Sequence, residues 1–289
     1  MAKLRERTVY LNGDYLSANE AKISVFDRGF IFGDGVYEVV PVFLGKLVDK
    51  QYFFERLNRS LGEISIDWPC SKEYYLQVLQ TLIDRNQLQE GVVYSQVTRG
   101  LAERDFHFPA DATPSLMAFC TPMNLINNPA ATTGIKVATT TDLRWKRRDI
   151  KSINLLGQCL AKQEAVSKGA VEGWMLEDGF ITEGVSSSAY IVNDKTVITR
   201  PLSNLILPGI RRRTLLELAS SAGINIEQRP FTLNEALAAD ECFISSATTM
   251  ALGVVDIDGK RIGDGRPGPV TKEMRELYTS HVLDEARHG

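Results

Sequence analysis

Runs of β-branched and aromatic residues, each closed by a turn signal, recur along this chain and alternate with segments of helical period. That pattern restricts it to an α/β fold, with a mixed or antiparallel sheet and helices packed outside. Val9-Tyr10-Leu11-Asn12-Gly13-Asp14-Tyr15-Leu16 sets apolar residues on both sides of Asn-Gly, a hairpin signature. Residues 36–43 predict a second hairpin that turns at Leu44-Gly45-Lys46 and returns through Leu47-Val48. Phe53, Leu57 and Leu61 mark one helix, with Arg56 at the margin of its apolar stripe. Residues 73–85 predict another, burying Tyr74, Val78, Leu79, Leu82 and Ile83, before strands at 92–98 and 114–120. Between those strands, residues 99–109 form a loop dense in hydrogen-bonding groups and aromatics, a composition suited to binding.

The length, 289 residues, suits two compact units better than one. Prolines and asparagines with little periodicity place an interdomain linker at 123–129. A small N-terminal α/β domain (1–122) is then expected before a larger C-terminal mixed-sheet domain (130–289). In the latter, residues 135–141 read as a strand and 154–168 as a helix, with Leu155, Leu156, Cys159 and Leu160 at helical spacing. Further strands are expected at 174–177, 180–182, 189–192, 197–199 and 241–247. A helix at 212–221 ends near Gly223, and an amphipathic helix at 271–286 closes the chain.

A formal net charge of -3 with both signs interspersed gives no electrostatic reason to expect nucleic acid or an anionic membrane as partner; a small molecule is the expected ligand. Residues 1–7 lack the apolar core of a secretory signal and no run is long enough to span a bilayer, so a cytoplasmic protein is expected. Cys70, Cys120, Cys159 and Cys242 are scattered without a Cys-x-x-Cys pair, which predicts buried thiols, no disulfide and no metal. Gly263-Asp264-Gly265-Arg266-Pro267-Gly268 matches a dinucleotide-binding pattern in letters only. Its prolines and the short chain that follows make it a polar turn.

Lys151 is the candidate reactive group, placed between the 135–141 strand and the helix that follows. Lysine forms Schiff bases with carbonyls, and desolvation or a nearby cation exposes the free amine; Arg147 and Arg148 are candidate sources of that field. Asp149-Ile150-Lys151-Ser152-Ile153-Asn154-Leu155-Leu156, with Thr182-Glu183-Gly184-Val185-Ser186-Ser187-Ser188, resembles the fold-type IV (class IV) pyridoxal-phosphate aminotransferases, closest to the D-amino-acid aminotransferase branch. The similarity runs from about Val9 to about Gly265.

This resemblance implies a pyridoxal 5'-phosphate enzyme and a homodimer with a shared active site. Lys151 would anchor the cofactor aldehyde and act as base, and Glu183 would face the ring nitrogen. Arg56 would hold the phosphate through its guanidinium fork. The amides of Ile210 and Arg211 after Gly209, at a helix start, would receive the same anion. Ser246, Ala247 and Thr248 match family positions that add donors, and Ser186 and Leu207 fall in matching cofactor segments. Tyr37, and Arg104 from the partner's loop, would hold the substrate carboxylate. Where the D-amino-acid branch has a histidine this chain has Phe106, with His107 one residue later. D-amino acids such as D-alanine, with a 2-oxo acid such as 2-oxoglutarate, are the first expectation. Branched-chain L-amino-acid or (R)-amine transamination, aminodeoxychorismate lyase chemistry and a non-catalytic cofactor-binding dimer are the alternatives.

Overall fold

The computed structural model describes residues 6–288, so the segment 1–5 of the stretch read for a leader lies outside them. The chain divides into two compact units. The first comprises the described residues up to Met123, the short segment Ile150–Asn154 and the chain from Leu283 onward; the second comprises Asn124–Asp149 and Leu155–Val282.

In the first unit, β1 (Thr8–Leu11), β2 (Asp14–Ser17), β3 (Gly35–Phe43), β4 (Lys46–Leu47), β5 (Glu90–Thr98) and β6 (Ser115–Pro122) form a sheet in the order β2-β1-β6-β5-β3-β4. All its pairs are antiparallel. The Asn-Gly turn forms as the residues dictate, with φ of 48° at Asn12 and 109° at Gly13. Three helices accompany the sheet: α1 (Arg28–Phe32), α2 (Lys50–Glu63) and α3 (Lys72–Arg85). In α2, Phe53, Leu57 and Leu61 are buried as their spacing predicts. In α3 the inward aromatic is Tyr75, whereas the expected Tyr74 is 42% exposed. Ser71 caps this helix through the Tyr74 amide, and the stripe that this start sets runs Tyr75, Val78, Leu79 and Leu82.

The second unit holds α4 (Ala130–Thr133), β7 (Ile135–Thr141), α5 (Leu156–Ser167), β8 (Glu172–Glu177), β9 (Phe180–Gly184), β10 (Ser188–Asn193) and β11 (Thr196–Thr199). It continues through α6 (Ile210–Ser221), β12 (Ile226–Gln228), α7 (Leu233–Ala238), β13 (Glu241–Ser246), β14 (Met250–Ile257) and β15 (Lys260–Arg261) into α8 (Pro269–His288), whose last residues belong to the first unit. Its sheet runs β12-β11-β10-β13-β14-β7-β8-β9, with β15 on β14. The sheet is mixed, because β11/β12, β14/β7 and β7/β8 are parallel and the other pairs antiparallel. Trp174, Ile181, Ile191, Phe231, Ile244 and Leu252 belong to its core.

Helix α5 does not bury the leucines that mark its helical spacing. Leu156 and Leu160 are 72% and 54% exposed, and the inward side chains are Ala161 and Ala165. The reason is close packing on β8, where a Cβ built on Gly173 would lie 3.4 Å from the Ala165 methyl and 3.5 Å from the Ala161 carbonyl oxygen. Small residues fit that gap and leucines do not. Likewise, Cys120 and Cys242 are buried thiols but Cys159, on the outward side of α5, is exposed. No described helix is long and apolar enough to cross a membrane.

Candidate active site

Lys151 stands on an edge extension of the first unit's sheet. The Tyr37 amide donates to the Lys151 carbonyl at 3.0 Å, Ile153 N–H donates to Gly35 O at 3.1 Å, and Ser152 bridges Val36 in antiparallel fashion. From α2, buried Ser60 accepts the Lys151 amide at 3.3 Å. These bonds bind Ile150–Asn154 into the first unit although the chain on either side belongs to the second. Gly35 is required here, since a Cβ would lie 2.6 Å from Val97 O and 3.1 Å from Ile153 Cδ1.

The Lys151 ammonium lies 4.2 Å from the centre of the Tyr37 ring, which stacks on Tyr94. Among the described residues it has no carboxylate partner. The arginines expected to act on it have carboxylates of their own: Arg147 pairs with Asp149 at 3.1 Å, and Arg148 with Glu177 at 2.8 Å and Asp142 at 3.3 Å.

Arg56 does not snorkel. It extends from α2 onto buried Glu38 of β3, with Nε donating to Oε1 at 2.8 Å and Nη2 to Oε2 at 2.6 Å. A second buried cluster fastens the 99–109 loop. Asp34 accepts from Arg28 Nε at 2.7 Å and from Arg99 Nε and Nη2 at 2.8 and 3.0 Å, while Arg28 Nη1 donates to the Asp105 carbonyl at 2.7 Å. On the exposed side of this loop, the Arg104 guanidinium lies 5.6 Å from the Phe32 ring centre and 5.4 Å from that of Phe106. Phe106 rests 5.7 Å from Phe32, and His107 pairs with Asp105 at 3.0 Å.

The second unit holds Glu183, buried at the end of β9. Its Oε1 accepts from Arg144 Nη1 at 2.6 Å, and both carboxylate oxygens accept from the Leu207 amide, at 3.1 and 3.2 Å. Arg144 in turn donates to Asp142 at 2.9 and 2.7 Å, and Thr182 Oγ1 donates to Asp142 at 2.7 Å. Burial pushes the Glu183 carboxyl up, and Arg144 with the Leu207 amide offsets part of that rise. Burial acts on Asp142 in the same direction, but Arg144, Thr182 and Arg148 together outweigh it and hold Asp142 below the usual carboxylate range.

In the same unit α6 opens at Gly209 with no side-chain cap and no acid in its first turn. Gly209, at the cap position, has no side chain to accept from the first turn that Ile210 and Arg211 begin. A Cβ on Gly209 would meet Ser188 Oγ at 2.9 Å. The Arg211 guanidinium turns instead over the Tyr278 ring at 4.6 Å. α6 packs against β13, which ends in a hydroxyl cluster where Ser246 Oγ lies 3.1 Å from Thr248 Oγ1 and 2.9 Å from Thr249 Oγ1. Ala247 is half-buried in that turn, and Ser186 Oγ donates to Glu172 at 2.7 Å.

Residues 35–257 of this chain match the family amino-transferase class IV. The chain belongs to the class IV aminotransferases. It is 38% identical to a D-alanine aminotransferase of Staphylococcus aureus (strain MSSA476), over 95% of this chain and 97% of that protein. With a D-alanine aminotransferase of Bacillus licheniformis it shares 39% identity, over 96% of this chain and 98% of the relative. Its fold is that of the branched-chain amino acid aminotransferase of Escherichia coli, with TM-score 0.90 and 22% identity over 96% and 95% of the two chains. The branched-chain amino acid aminotransferase of Thermobaculum terrenum in its PLP form is similar at TM-score 0.85 and 20% identity, over 98% and 96%.

Class IV aminotransferases are pyridoxal 5'-phosphate enzymes, and so is this one. The side chains fit the cofactor's needs: an amine without a carboxylate partner among the described residues, a buried carboxylate with a fixed orientation, and a helix start with no side-chain cap on a helix packed against a strand that ends in hydroxyls. The first unit carries Tyr37, Arg56, Arg104, Phe106, His107 and Lys151; the second carries Glu183, Ser186, Leu207, Gly209, Ile210, Arg211, Ser246, Ala247 and Thr248. Arg144, Glu38 and Ser60 stand out by no motif of their own in the sequence, because their importance rests on contacts distant in it. Glu38 alone had a local signal, as the neighbour of Tyr37.

Proposed function

We propose that this aminotransferase moves amino groups between D-amino acids, D-alanine among them, and 2-oxo acids such as 2-oxoglutarate, as a cytoplasmic homodimer. The observation that carries the substrate choice is the near-full-length identity with proteins named D-alanine aminotransferase. The branched-chain enzymes share the fold at 22% and 20% identity and say nothing of the substrate here. Exposed Phe26, Phe30, Leu101, Phe106 and Phe108 on the first unit support a second copy as partner, because exposed apolar side chains in such number mark interaction surfaces. Four free cysteines suit a reducing compartment.

In this reading Lys151 anchors the cofactor, and Arg56 with the amides of Ile210 and Arg211 and the donors of Ser246, Ala247 and Thr248 takes its phosphate. Leu207 and Ser186 complete the cofactor shell, Leu207 by fixing the Glu183 carboxylate through its amide. Bound pyridoxal phosphate supplies an electron sink for the pair left when a proton leaves the substrate α-carbon. Lys151 Nζ is the group that takes and holds that proton, and the Tyr37 ring keeps the amine in line. Glu183 keeps the ring nitrogen protonated, its own charge supported by Arg144. Tyr37, and Arg104 of the second copy, hold the substrate carboxylate, with Phe106 and His107 lining the same loop.

The test is a panel of D- and L-amino acids with 2-oxoglutarate and pyruvate, beside sedimentation of the purified protein. Turnover of D-alanine above L-leucine, by a particle of twice the 32.1 kDa of one chain, is expected. Preference for L-leucine overturns the D-amino-acid assignment, and a particle of single-chain mass overturns the dimer.

A further inference from the structure

Glu38 has no part in the chemistry described above, yet it is a fully buried carboxylate, with 0% exposure. It lies on β3 immediately after Tyr37, so its side chain leaves the opposite face of the strand. There it takes the Nε and Nη2 edge of Arg56 in a two-point pair at 2.8 and 2.6 Å. Arginine is a long side chain with many rotamers, and a two-point pair with a planar acceptor fixes both its reach and the plane of its fork. Arg56 and Ser60 stand one helical turn apart on α2, and Ser60 accepts the Lys151 amide. One helix thus carries both the guanidinium and a support of the lysine backbone, and Glu38 ties the guanidinium to the strand that carries Tyr37.

We propose that Glu38 is a positioning residue for Arg56: it holds the guanidinium in the orientation that receives the cofactor phosphate, and so sets phosphate-dependent affinity. This rests on the reading in which Arg56 meets that phosphate. Two physical effects oppose each other when the Glu38 charge is removed. Coulomb attraction alone predicts tighter phosphate binding, because a negative charge beside Arg56 is gone. Loss of the two-point pair predicts weaker binding, because the guanidinium must then be ordered at the expense of the binding energy. Orientation dominates, since a phosphate is recognised by aligned N–H groups rather than by charge alone.

Pyridoxal separates the two, as it keeps the aldehyde of the cofactor and lacks the phosphate. Wild-type enzyme and the Glu38→Gln, Arg56→Ala and double variants, each resolved of cofactor, are titrated with pyridoxal 5'-phosphate and with pyridoxal. Glu38→Gln is expected to raise the Kd for pyridoxal phosphate by ~10-fold or more while moving that for pyridoxal less than ~2-fold, and to add less than ~2-fold in the Arg56→Ala background. Unchanged or tighter phosphate-dependent binding in Glu38→Gln overturns the proposal, as does equal weakening for both ligands. Arg56→Ala without effect on pyridoxal phosphate removes the phosphate role of Arg56 and the proposal with it. A weakened Arg56→Ala beside a silent Glu38→Gln removes the Glu38 role alone. If Glu38→Gln fails to fold, Glu38→Asp keeps the charge and shortens its reach; it should weaken pyridoxal phosphate selectively, and wild-type affinity in that variant overturns the idea.

Discussion

Tyr37 holds Lys151 at both ends: its amide donates to the lysine carbonyl at 3.0 Å, and its ring lies 4.2 Å from the lysine Nζ. One strand residue therefore contacts both the backbone from which the reactive side chain starts and the end that it reaches. Lys151→Ala should abolish steady-state transamination and the borohydride-stable adduct with pyridoxal phosphate. The fold should persist, because the backbone bonds of residue 151 to Tyr37 and Ser60 do not involve its side chain. Absorbance and mass spectrometry after borohydride check this, and an adduct that survives the substitution removes Lys151 as the anchor.

Glu183 is buried and bonded by Arg144 and the Leu207 amide, so its charge depends on both. Glu183→Gln should lower kcat by at least ~100-fold, the scale of removing one electrostatic stabiliser, while cofactor stays bound. Arg144→Leu should act in the same direction through Glu183, since burial without the guanidinium favours the protonated acid. Rates of both variants with D-alanine decide it; unaltered kcat in Glu183→Gln means that the residue does not serve the ring.

Acid stability separates Asp142 from Glu183. The Asp142 pKa is depressed in the fold, so its contribution is present above the unfolded value near ~3.9 and is lost as pH falls through the folded one. Glu183 is raised, so its contribution is complete below its unfolded value and declines as pH rises through the folded one. Asp142→Ala breaks a buried pair and should cost about 3–5 kcal/mol at neutral pH. It should also flatten the loss of Tm below about pH 4. Thermal melts between about pH 3 and pH 7 span that window and measure it, and parallel curves for wild type and variant discount the Asp142 linkage.

Arg104 is exposed on its loop, with its guanidinium near the contacting Phe32 and Phe106 rings. If it pairs with a substrate carboxylate, Arg104→Ala should lose ~1.5–3 kcal/mol of binding, raising KM for amino acids by roughly ten- to a hundredfold. Amines without a carboxylate should be spared. Phe106→His restores the donor of the D-amino-acid branch and should favour small D-amino acids. Kinetics on D-alanine, L-leucine and an arylalkyl amine test both, and unaltered D-alanine kinetics in Arg104→Ala takes the loop out of the site.

Local elements, the class and most of the candidate residues are legible in the sequence. Hairpins, strands and helix stripes are written in periods of two and three to four residues, and the Lys151 and Glu183 segments are contiguous motifs, so neither needs distant partners to be read. Tertiary packing was needed to establish that Ile150–Asn154 joins the first unit, that Tyr75 rather than Tyr74 turns inward, and that α5 buries alanines beneath Gly173 while Leu156 and Leu160 face out. The same packing pairs Glu38 with Arg56, Ser60 with Lys151 and Arg144 with Glu183, across 18, 91 and 39 positions. A carboxylate or guanidinium on a half-apolar element looks solvated in sequence; whether it is buried, and against which partner, is fixed only when the sheet and helices close over it.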